Sequence, residues 1–310
     1  MSPYAPLLVE AEHLCKRFGD FTAVADLDLY MREGEIVALL GPNGAGKTTT
    51  VRMLASILRP TSGRARVRSL DVVRDAQQIR HLIGLVTEVP GLYRRMTAME
   101  YLAFFGELQH MERARCQARS EDLLTRFGLH EARNRRLGTY SKGMMQKAAI
   151  ARAMLHDPSI LFLDEPTSAM DPHSAKQVRD SIGDLRAHGR TILLCTHNLT
   201  EAEQLADRIV IIRRGAIVAQ GTADELKRAL LGEPAMEVRL VAQLDGLLER
   251  LGTSLDIAEV GPNWFRYRTT NPEADNPAVL ARLHELGQRV ISLSPVERRL
   301  EEVYLRIVEQ

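Results

Sequence analysis

Residues 41–49, Gly-Pro-Asn-Gly-Ala-Gly-Lys-Thr-Thr, combine types that suit the holding of a phosphate chain. Gly41, Gly46, Lys47 and Thr48 fill the pattern G-x-x-x-x-G-K-[ST]. Glycines leave backbone N–H groups free to wrap phosphate oxygens, a lysine places a cation on the outer phosphates, and a hydroxyl serves Mg2+. A second chemical pair is Asp164 and Glu165, delivered by the apolar run "SILFLD" (159–164). At a strand end one carboxylate can hold the water shell of a metal, and the next can orient or deprotonate a water. His197 follows the run "LLCT" at another strand end, where an imidazole is either a structural group or a partner of the acids. The stretch "TYSKGMMQKA" (139–148) opens a helix. Ser141 suits its N-cap, and Gly143 leaves the first turn bare, so its N–H groups face outwards with partial positive charge. Lys142 is a cation in that turn, mildly unfavourable for its own helix unless a phosphate faces it.

These groups need strands that end together. Residues 7–40 give β-type runs, "LLVEAEHLCKRF", "FTAVADLDLYM" and "GEIVALL", separated by Gly-containing turns. After the Gly-rich loop, "KTTTVRMLASIL" (47–58) carries apolar residues at helical spacing, and Pro60 with "TSG" closes the unit. From about 95 to 155 the pattern is helical, forming a mostly α insert. Strands return at "SILFLD", "TILLCTH" and "RIVIIRRG", alternating with helices such as "PHSAKQVRDSIGDLRAHG". That alternation predicts an α/β domain over 1–230 with a mostly parallel sheet, an antiparallel β part and the helical insert. Residues 231–310 change character: "AMEVRLVA", "LDGLLERLG", "SLDIAEV", "WFRYRTT", "NPAVLARLHELG" and "RVISLSP" read as strand, helix, strand, strand, helix, strand. "GPN" is the hairpin turn. The order is that of a small α+β ferredoxin-like domain, followed by the amphipathic segment "RRLEEVYLRIVEQ".

With 310 residues, 45% hydrophobic and 26% charged, the chain has the size for a large core and a second, smaller domain. Its 41 basic and 40 acidic side chains leave a net charge of +1, which gives no global argument for nucleic acid. Cys15, Cys116 and Cys195 are far apart and without metal-ligand spacing, which suits a reducing compartment. The opening "MSPYAPLLVEAEHL" lacks the basic and long apolar regions of a secretion signal, so a cytoplasmic location is expected. Apolar runs such as "IVALL" and "ILFL" are far short of the ~20 residues of a membrane-spanning helix. If the protein serves a membrane, another chain does the spanning.

Over about residues 5–228 the ordered motifs "GPNGAGKTT", "YSKGM", "ILFLDEP", "SAMD" and "THN" resemble those of ATP-binding-cassette (ABC) ATPases. The resemblance implies a P-loop NTPase fold and the cofactors ATP and Mg2+. It implies that Gly41, Pro42, Asn43, Gly44, Ala45, Gly46, Lys47, Thr48 and Thr49 hold the phosphates. It further implies that Asp164 supports Mg2+ with Thr48, that Glu165 is the general base, and that His197 contacts the γ-phosphate and its water. Phe18 falls where the family has an aromatic that stacks on adenine. Ser141 and Gly143 correspond to the signature that caps the nucleotide of the opposite subunit, and Asp171 to the loop that crosses to it. The site is then complete in a head-to-tail homodimer, and the phosphate it presents would account for Lys142. Glu88, in "IGLVTEVPGLY", stands where the family has Gln. A carboxylate there can ligate Mg2+ but adds negative charge near the γ-phosphate.

"YSKGM", the "TEVPGLY" loop and the terminal "LEEVYLRI" are similar to the ATPase subunits of ABC-2-type exporters, the group that includes antibiotic and multidrug efflux systems. The expected protein is therefore an ATP hydrolase that dimerises around two ATP and Mg2+ and powers export of a small molecule. Its membrane partner is a separate integral permease, which places the chain peripherally on the inner face of the cell membrane. A soluble ABC ATPase with a regulatory or nucleic-acid- or ribosome-linked role and no transport is the alternative. No nucleic-acid partner is expected, and the C-terminal domain is open between regulation, dimerisation and bracing.

Overall fold

The computed structural model describes residues 5–251 and 255–309. Residues 1–4 of the expected leaderless opening, Ser254 of the run "SLDIAEV" and Gln310 of the last segment lie outside the described residues. The chain forms two compact units, 1–223 and 224–310.

The first unit is built on strands β1 (Leu7–Phe18), β2 (Phe21–Arg32), β3 (Ile36–Leu40), β4 (Ser62–Val67), β5 (Leu70–Asp71), β6 (Ile83–Val86), β7 (Ile160–Asp164), β8 (Thr191–Thr196), β9 (Arg208–Arg213) and β10 (Ala216–Gly221). They form one ten-stranded sheet in the order β5-β4-β1-β2-β10-β9-β3-β8-β7-β6. The run β6-β7-β8-β3-β9 is parallel, whereas β1, β2, β4 and β5 pair antiparallel. Every residue of β3, β7 and β8 is buried, which is why they read as unbroken apolar runs rather than alternating ones. Around the sheet lie α1 (Lys47–Leu54), α2 (Ala76–Leu82), α3 (Ala98–Leu108), α4 (Arg113–Arg126), α5 (Lys142–Met154), α6 (Pro172–Ala187) and α7 (Leu199–Leu205).

Helices α3, α4 and α5 are the helical insert. Thr97 and Glu100 start α3 with a reciprocal capping box. Gly106 lets α4 approach closely, since a Cβ there would lie 2.1 Å from Cys116 Sγ. Helix α1 ends four residues earlier than its apolar spacing predicts. Ser56 takes a left-handed conformation (φ 55°), and the N–H groups of Ile57 and Leu58 turn back to the Arg52 carbonyl, closing the helix. Strands β4 to β6 stand where the sequence gives no strand expectation. In β4, exposed Arg64 and Arg66 alternate with buried Ala65 and Val67.

Helix α8 (Ala223–Leu231) leads into the second unit. There β11 (Ala235–Leu240), α9 (Leu247–Leu251), β12 (Asp256–Val260), β13 (Trp264–Arg268), α10 (Pro272–Glu285) and β14 (Val290–Pro295) follow the βαββαβ order, and α11 (Leu300–Glu309) ends the chain. The sheet order β12-β13-β11-β14, antiparallel throughout, is ferredoxin-like. Val238, Phe265, Tyr267 and Leu283 are fully buried in its core.

Candidate active site

The Gly-rich loop follows β3 and feeds α1, so the bare N–H groups at the start of α1 face the loop's own concavity. Gly44 and Gly46 have φ of 80° and 108°, a region that other residues adopt only with strain. A Cβ at Gly46 would lie 2.6 Å from the Ala23 carbonyl, and one at Gly41 would lie 2.4 Å from the Ile212 carbonyl. The two glycines therefore let the loop lie directly on β2 and β9. Beside it is a cavity of about 260 Å³, lined by Pro42, Asn43, Gly44, Gly46, Lys47, Thr48 and Thr49 from the loop and by Phe21, Ala23, Glu88 and Glu165. Gly41 and buried Ala45 support the loop from behind.

Lys47 is 5% exposed. Its Nζ donates to the carbonyls of Gly41 (2.7 Å) and Pro42 (3.2 Å), and it lies 3.1 Å from Glu165 Oε1 as an ion pair without hydrogen-bond alignment. Strand β7 delivers Asp164 and Glu165 to the same place. The Glu165 N–H donates to the Cys195 carbonyl of β8, and its left-handed φ of 51° turns the chain out of the strand. His197, just past β8, places Nδ1 2.7 Å from Glu165 Oε2. A continuous polar chain thus runs from His197, which does not itself line the cavity, through Glu165 to Lys47 on the cavity wall.

Asp164 is 2% exposed, and its Oδ1 is buried without a hydrogen-bond partner. Burial pushes its carboxyl above the ordinary carboxylate range, and the charges of Glu165 and Glu88 push the same way. A hydrogen bond from the Thr48 hydroxyl and the charge of Lys47 pull it back. A buried, unpaired carboxylate oxygen beside a hydroxyl, with the charges of two further carboxylates acting on it, suits a small divalent cation. Of the expected metal group, Thr48 meets Asp164, and Glu88 lines the same cavity as Thr48 and acts on Asp164 through its charge.

The structure separates other expected residues from this cavity. Phe18 is 48% exposed, with Lys16 Nζ 5.1 Å from its ring centroid, and it does not line the cavity; Phe21, across the β1–β2 turn, does. Ser141, Gly143 and Asp171 are also absent from the lining and lie together elsewhere. Ser141 caps α5 by accepting from the Met144 N–H (3.2 Å), and Asp171 caps α6 by accepting from the Ser174 N–H (3.0 Å). A Cβ on Gly143 would sit 3.0 Å from Ser174 Cβ, so the glycine lets the two helix starts meet. Lys142 needs a correction. Its Nζ donates to the Ala169 carbonyl at 3.2 Å, so its charge has a partner within the chain and does not require a phosphate.

Two functional candidates escape the sequence reading. Phe21 is hidden because two phenylalanines three residues apart flank one turn, and spacing cannot say which faces the cavity. Glu201 is fully buried on α7, where its sequence context shows a capping pattern: Asn198 Oδ1 accepts from the Glu201 N–H at 3.2 Å.

Comparison with known proteins fits this geometry. A family model described as "ABC transporter" matches residues 24–168. The chain is 37% identical over 296 residues to the daunorubicin resistance ATP-binding protein DrrA3 of Streptomyces coeruleorubidus, covering 94% of this chain and 93% of that one. It is 40% identical over 296 residues to the daunorubicin/doxorubicin resistance ATP-binding protein DrrA of Streptomyces peucetius, covering 95% and 86%. Both matches are too long for the first unit and so extend into the second. Among solved structures, an ATP-binding subunit of an ABC transporter superposes with a TM-score of 0.65 at 30% identity, covering 73% of this chain and 94% of that one. The chain belongs to the ABC transporter ATP-binding proteins, and it is an ATP-hydrolysing subunit of that family.

Proposed function

We propose that two copies of the chain close head-to-tail around two ATP molecules and that their hydrolysis powers export of a small molecule through a separate membrane permease. The observation that carries the reading is the pair Glu165–Lys47 on the wall of the phosphate-loop cavity, with His197 on Glu165 from behind. The phosphates lie on the N–H groups at the start of α1, and an incoming γ-phosphate takes over Lys47 from Glu165. Glu165 then accepts the proton of the attacking water, and His197, through Nδ1 at 2.7 Å, holds that carboxylate in place. Mg2+, held by Thr48 and Asp164 with Glu88 beside them, would neutralise charge on the phosphate oxygens. Either Phe18 or Phe21 offers a ring to adenine, and cavity lining favours Phe21.

Ser141 and Gly143 of the second copy, at the N-terminus of its α5, meet the γ-phosphate across the interface, with Asp171 at the same seam. Hydrolysis removes the bridging charge and loosens the dimer, a two-state element that a permease can follow. Among the described residues no helix is long and apolar enough to cross a membrane, which supports a separate spanning chain and a peripheral position on the inner face. Relatives named for drug resistance support the outward direction, since a cell resists a drug that is carried out.

The test is Glu165→Gln. Turnover falls by about 10²–10⁴-fold while ATP binding persists and an ATP-dependent dimer accumulates in sedimentation. Retained turnover overturns the role of Glu165, and the lack of an ATP-dependent dimer overturns the interface. Efflux of a fluorescent drug from cells that carry the chain and its permease checks direction; accumulation unchanged by Glu165→Gln overturns export.

A further inference from the structure

Glu201 is a carboxyl with no exposure to solvent in a place where an apolar side chain would pack without losing hydration. Its Oε1 accepts a hydrogen bond from Thr167 Oγ1 at 3.0 Å. Its Oε2 is buried without a partner, and the Thr196 hydroxyl accepts from the Asn198 N–H at 3.0 Å. Thr167 lies two residues beyond Glu165, and Thr196 is the residue before His197. The two hydroxyls therefore belong to the two segments that carry Glu165 and His197 out of the sheet.

The third segment is fixed from its own side. Asn198 accepts from the Glu201 N–H at 3.2 Å and donates its own N–H to Thr196 Oγ1 at 3.0 Å, so α7 is pinned to the end of β8. Glu165 holds a φ of 51°, which a non-glycine residue keeps only where the surroundings impose it. Glu201 therefore ties the Glu165 segment through its own carboxyl and the end of β8 through Asn198, which caps its helix and reaches Thr196. Burial, with the charge of Glu165, pushes the Glu201 carboxyl up; the Thr196 and Thr167 hydroxyls and Arg179 pull it down.

We propose that Glu201 is a positioning residue: by holding Thr167 from a helix that Asn198 pins to Thr196, it keeps Glu165 and His197 in their 2.7 Å contact, and it takes no part in binding nucleotide. It does not line the phosphate-loop cavity. The inference rests on the roles proposed above for Glu165 and His197.

The experiment measures kcat and KM for ATP hydrolysis, binding of a fluorescent ATP analogue and thermal stability, all in the full chain. Glu201→Ala lowers kcat by about 10–100-fold with KM and analogue affinity unchanged. Thr167→Val lowers kcat less, and the double variant is no slower than Glu201→Ala, because both remove one contact. Glu201→Gln keeps an acceptor oxygen and recovers most of the rate. A folded Glu201→Ala protein with wild-type kcat, a loss confined to KM, or losses that multiply in the double variant overturns the proposal. Should Glu201→Ala not fold, an unchanged kcat in Thr167→Val overturns it equally. Glu165→Gln is measured alongside. If that variant keeps its turnover, the site assignment fails; if it loses turnover while the Glu201 and Thr167 variants keep theirs, only the role of Glu201 fails.

Discussion

The active site of the first unit and the open ladder on the second unit's sheet use the same charged residue types in opposite ways. Lys47, Asp164 and Glu165 are 5%, 2% and 7% exposed, and Asp164 Oδ1 has no hydrogen-bond partner. On the second sheet Glu237 pairs with Arg239 (2.8 Å) and Arg266 (3.0 Å), Arg266 also reaches Glu259 (2.5 Å), and Arg268 reaches Asp256 (3.2 Å). Arg266 further lies 4.9 Å from the Trp264 ring centroid. The ladder is wet and mutually paired, so each pair contributes about 0.2–1 kcal/mol. The site is dry and incompletely paired, and a buried polar group without a partner costs about 1–3 kcal/mol. Charge that stabilises the fold is thus kept in water, whereas charge that costs stability is kept where a phosphate and a cation can complete it.

The sharpest way to break this contrast is Glu165→Gln, with its loss of about 10²–10⁴ in turnover. If turnover survives, the buried cluster has no chemical role and the comparison reduces to burial alone. Next is Gly46→Ala, which forces a side chain into a left-handed position 2.6 Å from the Ala23 carbonyl. It destabilises the fold by about 1–3 kcal/mol and abolishes nucleotide binding, read by calorimetry and by a fluorescent ATP analogue.

Asp164→Asn separates cost from function. The folded-state carboxyl is raised, so its protonated form is favoured; that contribution is present below the ordinary value of 3.8 and is lost as pH rises through the folded value. At neutral pH, without nucleotide or Mg2+, Asp164→Asn should melt higher than wild type, by about 1–2 kcal/mol, and the gain should shrink as pH falls. An equal or lower melting point at neutral pH would show that Asp164 costs nothing. Glu88→Gln removes one of the charges acting on Asp164 and should raise turnover a few-fold at limiting Mg2+; unchanged rate and Mg2+ dependence argue against that effect. The smallest change is expected from Arg266→Ala, about 1 kcal/mol or less, with no effect on turnover and a smaller difference in high salt.

Much of the site is legible because its chemistry depends on short spacing. The loop from Gly41 to Thr49, the pair Asp164–Glu165 and the strand end at His197 are each written within a few residues, and buried parallel strands announce themselves as apolar runs. The βαββαβ order of the second unit is legible for the same reason, since each element there is bounded by turn residues. Strand β4 is obscured by its arginines, and the early stop of α1 depends on Ser56 adopting a left-handed conformation that its type does not demand.

By itself the sequence determined which groups exist and which local element carries each: a phosphate loop before a helix, acids at one strand end, an imidazole at another. Tertiary structure alone decided which of them meet. Lys142 finds the Ala169 carbonyl 27 residues away, Glu201 finds Thr167 across 34, and Phe21 rather than Phe18 turns to the cavity. The physical reason is that spacing fixes direction along one helix or strand, whereas burial and pairing depend on the closure of loops that bring distant segments into contact.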